Sequence, residues 1–221
     1  MTIVSDSTET KLNNGPSYSE DPLQFLPRAL TSLYSRWVRL SYPFASLGKG
    51  LSVHPYCDWQ RSQAHRISLG NHVQIRKDAL LRVAASSVQS DEPAIIVDDE
   101  TCLGPACQLI AKNRVHIERD VLIGQSVLIT DHGYSVEEVA GVQSQRISEG
   151  GRVRIGQGSW IGYRAAIVCN KGELVLGRNC VVAANSLVTR SFPPYSVIFG
   201  NPARVIRQYD PAKKRWVLKT A

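Results

Sequence analysis

From Leu69 to Val188 the aliphatic residues of the chain fall on a six-residue beat. Taken in triplets, the leading positions are Leu69, Ile75 and Leu81; Val97, Leu103 and Leu109; Ile117, Ile123 and Ile129; Ile155, Ile161 and Ile167; and Leu176, Val182 and Val188. Glycine follows the lead directly at Gly70, Gly104, Gly124, Gly156, Gly162 and Gly177. Four places after each lead, twelve of the fifteen residues are small or β-branched, the exceptions being Asn113, Lys171 and Phe192. Neither an amphipathic helix nor a half-buried strand holds such a phase. The beat predicts a solenoid, in which three short strands close one triangular coil of eighteen residues. Leading aliphatics and small residues turn inward, and each strand pairs with the strands above and below it. The small residue and the glycine permit sharp corners and a narrow interior.

The spacings between triplet starts are 28, 20, 38 and 21 residues, which leaves insertions of 10, 2, 20 and 3 beyond eighteen. Each falls after the third hexad of its coil, so every insertion leaves the prism at the same corner. Repeat arrays often bind on the face that carries their insertions. The longest insertion, about residues 132–152, opens at His132, with Asp131 just before it.

Upstream, Leu51 and Cys57 extend the phase backwards and mark "LSVHPYCDWQ" as a degenerate first coil. Residues 22–47 carry apolar residues at helical spacing with Arg28, Arg36 and Arg39 between them. That pattern predicts a helix over the open end of the core, since terminal repeats need caps; a membrane-surface helix is the lesser reading. The chain is therefore divided into a disordered stretch 1–20, a helical cap 21–50, a β-helix 51–200 and a basic tail 201–221. The tail's "PAKKRWVLKTA" is read as a short helix or strand.

Composition narrows the field of functions. Nothing approaches eighteen consecutive apolar residues, so no stable membrane span is expected. The polar start "MTIVSDSTETKLNNGPSYSEDP" lacks the basic and apolar regions of a secretory signal, and a cytoplasmic location is expected. Five cysteines without a CxxC pair argue against a disulfide framework and a zinc knuckle. The net charge of +7 favours anionic partners such as nucleic acid, acidic membranes, acidic glycans or a phosphate-bearing cofactor. Nucleic acid is disfavoured, because the basic residues are scattered and no aromatic-interleaved basic run occurs.

Three stretches carry a family resemblance. "VRIGQGSWIGYRAAIV" has paired Ile-Gly steps with Trp160 between them; "LGRNCVVAANSLVTRSFPPYSVIFGNPARVIR" is a closing sequence; "IGQSVLITDHGY" is a histidine-bearing step. Over roughly residues 65–208 the chain resembles the hexapeptide-repeat acyltransferases, and within them the sugar and polysaccharide O-acetyltransferases. The resemblance implies a mainly β fold: a left-handed parallel β-helix of triangular coils, with an N-terminal helical cap and a looped-out extension near 132–152. It also implies a homotrimer of parallel prisms, acetyl-CoA as acyl donor in the groove between two prisms, a sugar or glycan acceptor and no metal.

By the same resemblance His132 is the catalytic base and Trp160 lines the site near the thioester. Ala184, Ser186 and Thr189 follow the pantetheine, and Arg204 and Arg207 meet the CoA phosphates. The chain departs from the pattern at Tyr134, where the polysaccharide type carries a second histidine. It departs again after Ile167, where "IVCNKGELVLG" lacks the usual tight Pro-Gly turn.

Acyl transfer to a hydroxyl needs a base that takes its proton as it attacks, and histidine titrates in the useful range. Asp131 is a candidate to orient His132, although adjacent strand residues point to opposite faces and only the exit from the strand relaxes that rule. A backbone N–H of the following coil would hold the oxyanion. Three other readings stand beside this one: an N-acyltransferase on an amino sugar, a non-catalytic β-helix scaffold, and a carbonic-anhydrase-like zinc enzyme. The last needs three converging histidines, where the central coils supply only His116 and His132.

Overall fold

The computed structural model describes residues 25–84, 92–134, 147–210 and 212–218. The disorder expected of residues 1–20 and the middle of the 132–152 extension lie outside the described residues.

Among the described residues three sheets enclose one core, with six, nine and six strands, parallel throughout except at the last two pairings of the nine-stranded sheet. Sheet A holds the first hexad of each coil, sheet B the second and sheet C the third. Register is lead on lead. In sheet A the column runs Leu69, Val97, Ile117, Ile155, Leu176. In sheet B it runs Ile75, Leu103, Ile123, Ile161, Val182. In sheet C it runs Leu81, Leu109, Ile129, Ile167, Val188. All fifteen are at most 2% exposed. At about 1.5–3 kcal/mol per buried aliphatic side chain, these columns supply the main driving force for stacking. The expected mainly β, parallel β-helical architecture with a helical cap is the one observed.

The structure separates two roles that the sequence pattern merges. The corners bend at the third residue after the lead, where His72, Asp78, Glu100, Ala106, Asp120, Ser126, Arg164, Asn179 and Asn185 all have φ between 53° and 60°. The glycine directly after the lead serves close approach instead: a Cβ at Gly104 would lie 2.6 Å from the Ile123 carbonyl oxygen and 2.7 Å from the Gly124 carbonyl carbon of the next coil. Such contacts leave no room for a side chain.

Both ends of the repeat shift from the sequence reading. The first coil is real, but Leu51 and Cys57 do not lead it. Leu47, Val53 and Trp59 do, stacked on Leu69, Ile75 and Leu81. Leu51 and Cys57 sit four places later, in the second inward position, packed against the core. A short 3-10 helix, Arg61–Arg66, leaves this coil at the same corner as the later insertions. At the far end, Phe192 is not a failed small residue. It pairs with Leu176 as the lead of a further partial coil, is 5% exposed, and is followed six residues on by Ile198 over Val182.

The ends themselves are closed by different means. The helix α1 (Phe25–Ser41) lies against the strand Ser52–Val53 at the start of sheet B. There the Val53 N–H donates to Ser35 Oγ at 2.9 Å, and Val38 enters the core. At the other end Ser196–Gly200, Ala203–Asp210 and Arg215–Leu218 pair antiparallel and continue sheet B, so much of the basic tail is strand.

Replacing Ile123, fully buried between Leu103 and Ile161, with alanine should lower stability by about 2–5 kcal/mol in a denaturant titration. Burial pushes the Cys107 thiol up to about 12 and the Cys57 thiol up to about 11. Because the thiolate is the reactive form, both should react with an aromatic disulfide reagent near neutral pH far more slowly than free cysteine, and reach normal rates after unfolding.

Candidate active site

The strand Leu128–Thr130 ends where the chain leaves the prism at the corner between sheets C and A. Asp131, one residue on, is fully buried and turns toward the coil below. Its carboxylate meets three successive backbone donors there. Lys112 N–H donates to Oδ1 at 2.7 Å, and Asn113 and Arg114 N–H donate to Oδ2 at 2.7 Å each. Lys112 and Asn113 are the two-residue insertion of that coil and Arg114 opens the strand after it, and together they fold as an anion-binding concavity. A buried carboxylate is otherwise expensive, and this nest is what allows it.

The fourth partner of Asp131 is His132 Nδ1, 2.9 Å from Oδ1. Since the carboxylate held by three donors can only accept, the proton of that hydrogen bond belongs to Nδ1. Nε2 then carries the free lone pair, the arrangement required of a general base. The imidazole is 12% exposed, and Thr130 Oγ1 lies 3.4 Å from its Nδ1. The alternation rule that would separate Asp131 from His132 fails here, because both residues lie beyond the end of the strand.

The neck of the extension is tied to the same corner. Ser148 N–H donates to the Gly133 carbonyl at 2.8 Å, Gly133 N–H donates to Ser148 Oγ at 3.1 Å, and Tyr134 bridges Ile147 antiparallel. Lys112 Nζ donates to the Ser148 carbonyl at 2.6 Å, while Asn113 Nδ2 donates to the carbonyls of Glu149 and Gly151 at 2.9 and 3.2 Å. Gly151 N–H returns to the Asp131 carbonyl at 2.6 Å. Lys112 and Asn113 thus hold both the carboxylate and the loop. Sequence reasoning noted the two extra residues but had no signal for their use, since two of the three contacts to the carboxylate come from their main chain.

The other expected site residues lie elsewhere on the same chain. Trp160, half exposed, points outward from sheet B between Leu122 and Val181. Sheet B is the face opposite the corner that carries His132, so one prism does not bring the two together. Ala184 is exposed on the corner between sheets B and C, and Thr189 is exposed just past the last strand of sheet C. The Ser186 side chain is buried, its hydroxyl accepting the Gly200 N–H at 3.2 Å. Arg204 and Arg207 are exposed on the strand Ala203–Asp210 of sheet B, opposite Phe199 and Val197, with a bulge between their partners. His116 is engaged elsewhere, its Nε2 lying 2.9 Å from Asp98 Oδ2. Among the described residues no three His, Cys, Asp or Glu side chains converge as a metal site.

No protein-family model matches the chain. A protein named as a lipopolysaccharide biosynthesis O-acetyl transferase, WbbJ of Escherichia coli strain K12, is 31% identical over 129 residues, covering 55% of this chain and 64% of that one. A protein named as an acetyltransferase from Mycobacterium tuberculosis is 25% identical over 168 residues, covering 73% of this chain and 49% of that one. The chain spans less than two thirds of the length of these relatives. Among solved structures, a point variant of AntD, an N-acyltransferase from Bacillus cereus in complex with dTDP and coenzyme A, matches with a TM-score of 0.65 at 17% identity, over 81% of this chain and 90% of that one. The fold is shared with that enzyme: a parallel β-helix built on a six-residue repeat. The relatives agree with the resemblance to the hexapeptide-repeat acyltransferases.

Replacing Asp131 with alanine would leave three partly buried N–H groups without their acceptor. It should destabilise the protein by about 3 kcal/mol with no substrate present, measured by chemical denaturation. Wild-type stability in that variant would show that water replaces the carboxylate.

Proposed function

We propose that the chain is an acetyl-CoA-dependent O-acetyltransferase acting on a sugar hydroxyl of a cell-surface polysaccharide precursor or another glycoside. The observation that carries this reading is the buried Asp131 carboxylate, anchored by three backbone N–H groups and aimed at the imidazole of His132. WbbJ, named for O-acetyl transfer in lipopolysaccharide biosynthesis, supports the substrate class, and the coenzyme A complex of AntD supports the donor.

In this reading His132 Nε2 takes the proton of the acceptor hydroxyl as its oxygen attacks the thioester carbonyl. The tetrahedral intermediate collapses to the acetyl ester and the CoA thiolate, which receives the proton from the imidazolium, so base and acid are the same nitrogen. Asp131 is a positioning residue: it fixes the tautomer and stabilises the transient cation. Holding acceptor and thioester in one cleft supplies much of the rest.

The placement of Trp160, Arg204 and Arg207 on the face opposite His132 supports a homotrimer. Only a neighbouring prism would bring sheet B of one copy against the His132 corner of another. In that groove Trp160 lines the thioester, the edge exposed at Ala184 and Thr189 follows the pantetheine with Ser186 buried beneath it, and Arg204 and Arg207 meet the phosphates. A donor of this kind supports a cytoplasmic location.

An amino sugar as acceptor is the second reading, favoured by the fold shared with AntD, an N-acyltransferase. A free-thiol release assay with acetyl-CoA against paired hydroxyl and amino sugars separates the two. His132→Ala should leave the protein folded and binding CoA while lowering kcat by about 10²–10⁴-fold. Asp131→Asn should lower kcat with little change in KM for acetyl-CoA. Normal turnover by His132→Ala would remove the imidazole from the mechanism.

A further inference from the structure

The helix α1 presents its least polar side to solvent. Its inner face contributes Ser35 and Val38, whereas Leu30, Leu33, Trp37 and Leu40 are 60, 64, 51 and 87% exposed. At 100° per residue those four fall within an arc of about 80°. Tyr56, on an adjoining corner of the first coil, extends the patch, and a groove of about 560 Å³ runs between it and the helix. The hexad columns bury aliphatics of this size almost completely, so three leucines and a tryptophan outward on one helix are a departure from the rule that governs the columns.

Charge identifies what covers the patch. The helix sequence FLPRALTSLYSRWVRLS holds three arginines and no acidic residue. Arg28, Arg36 and Arg39 lie along one flank, within another arc of about 80° beside the apolar one. Arg39 reaches back to the Gly48 carbonyl, and Lys49 follows it on the next corner. Two copies meeting through this face would set one arginine row against the other with no carboxylate on either helix to neutralise them. Lipid phosphates would match the charge that Arg36 and Arg39 bring to that flank.

We propose that α1 docks the protein on an anionic lipid bilayer surface. The helix lies in the plane of the interface, its leucines entering the acyl boundary, its arginines at the phosphates, and Trp37 and Tyr56 at headgroup level. It does not cross: it is 17 residues long, and no helix among the described residues is long and apolar enough to span. The dock is independent of the acyl-transfer chemistry, since none of its residues lies at the His132 corner.

Co-sedimentation of the full chain with vesicles tests it, using phosphatidylcholine alone or phosphatidylcholine mixed with phosphatidylglycerol. Binding is expected to the mixed vesicles only and to fall as salt is raised. Leu33→Glu with Trp37→Glu should reduce the bound fraction about tenfold or more, and Leu40→Glu, at the most exposed position, should weaken it without touching the fold. Circular dichroism and velocity sedimentation of the same variants complete the experiment. No binding to the mixed vesicles, or equal binding by wild type and variants, overturns the proposal. A change in oligomeric state caused by these variants also overturns it, by assigning the face to a contact between copies.

Discussion

No coil of this prism can hydrogen-bond its own strands to one another. Each strand finds its partners only in the coils above and below, so the whole molecule depends on a spacing that brings every lead residue over the previous lead. Six residues per side is the length that achieves this, and the fully buried columns in the three sheets are its result. The tolerance is small. Where successive coils approach closely, as at Gly104 against Gly124, even a methyl group would meet backbone. A corner that must repeat at such distances cannot also accommodate extra residues, and the chain uses one corner in three for all its departures.

That restriction places the candidate site. Two coils leave the prism at the same corner, one above the other, separated by a single strand spacing of about 4.8 Å. The lower departure, two residues long, and the first residue of the strand after it turn three N–H groups upward; the upper one, about twenty residues long, opens at His132, with Asp131 just before it. A carboxylate dropped from the upper coil therefore lands on the donors of the lower, with no flexible element between them. The geometry of the pair is fixed by stacking rather than by the extension it opens, which suits a group whose orientation matters to within tens of degrees.

What could be read from the sequence follows the same logic. The fifteen leads were legible because burial imposes an aliphatic at every one, and the exit at His132 because an insertion breaks the count. The first coil was placed four residues late because both inward positions there are apolar, Leu47 with Leu51 and Val53 with Cys57, and nothing in the letters says which leads. Phe192 was misread because the last turn into sheet A is shortened, bringing a lead to where a small residue was due. The Asp131 nest was not legible, since its donors are main-chain groups 17 to 19 residues away and any non-proline residue supplies one. Trp160 was visible as an outward aromatic on the beat, but its distance from His132 within one prism depends on which face each hexad occupies.

The two ends of the solenoid show what the constraint demands where stacking stops. A terminal strand exposes unpaired backbone groups and invites a second chain. At the far end sheet B folds back on itself, and its final strand is introduced by Lys213, Lys214 and Arg215, charges that discourage further pairing. At the near end the Val53 N–H needs an acceptor, and Ser35 provides it from a helix. That choice decides the orientation of α1. Ser35 and Val38 must face the prism, and Leu33 and Trp37, on the other side of the same helix, must then face out. An apolar surface beside a row of arginines is thus the direct structural consequence of satisfying one edge strand with a hydroxyl.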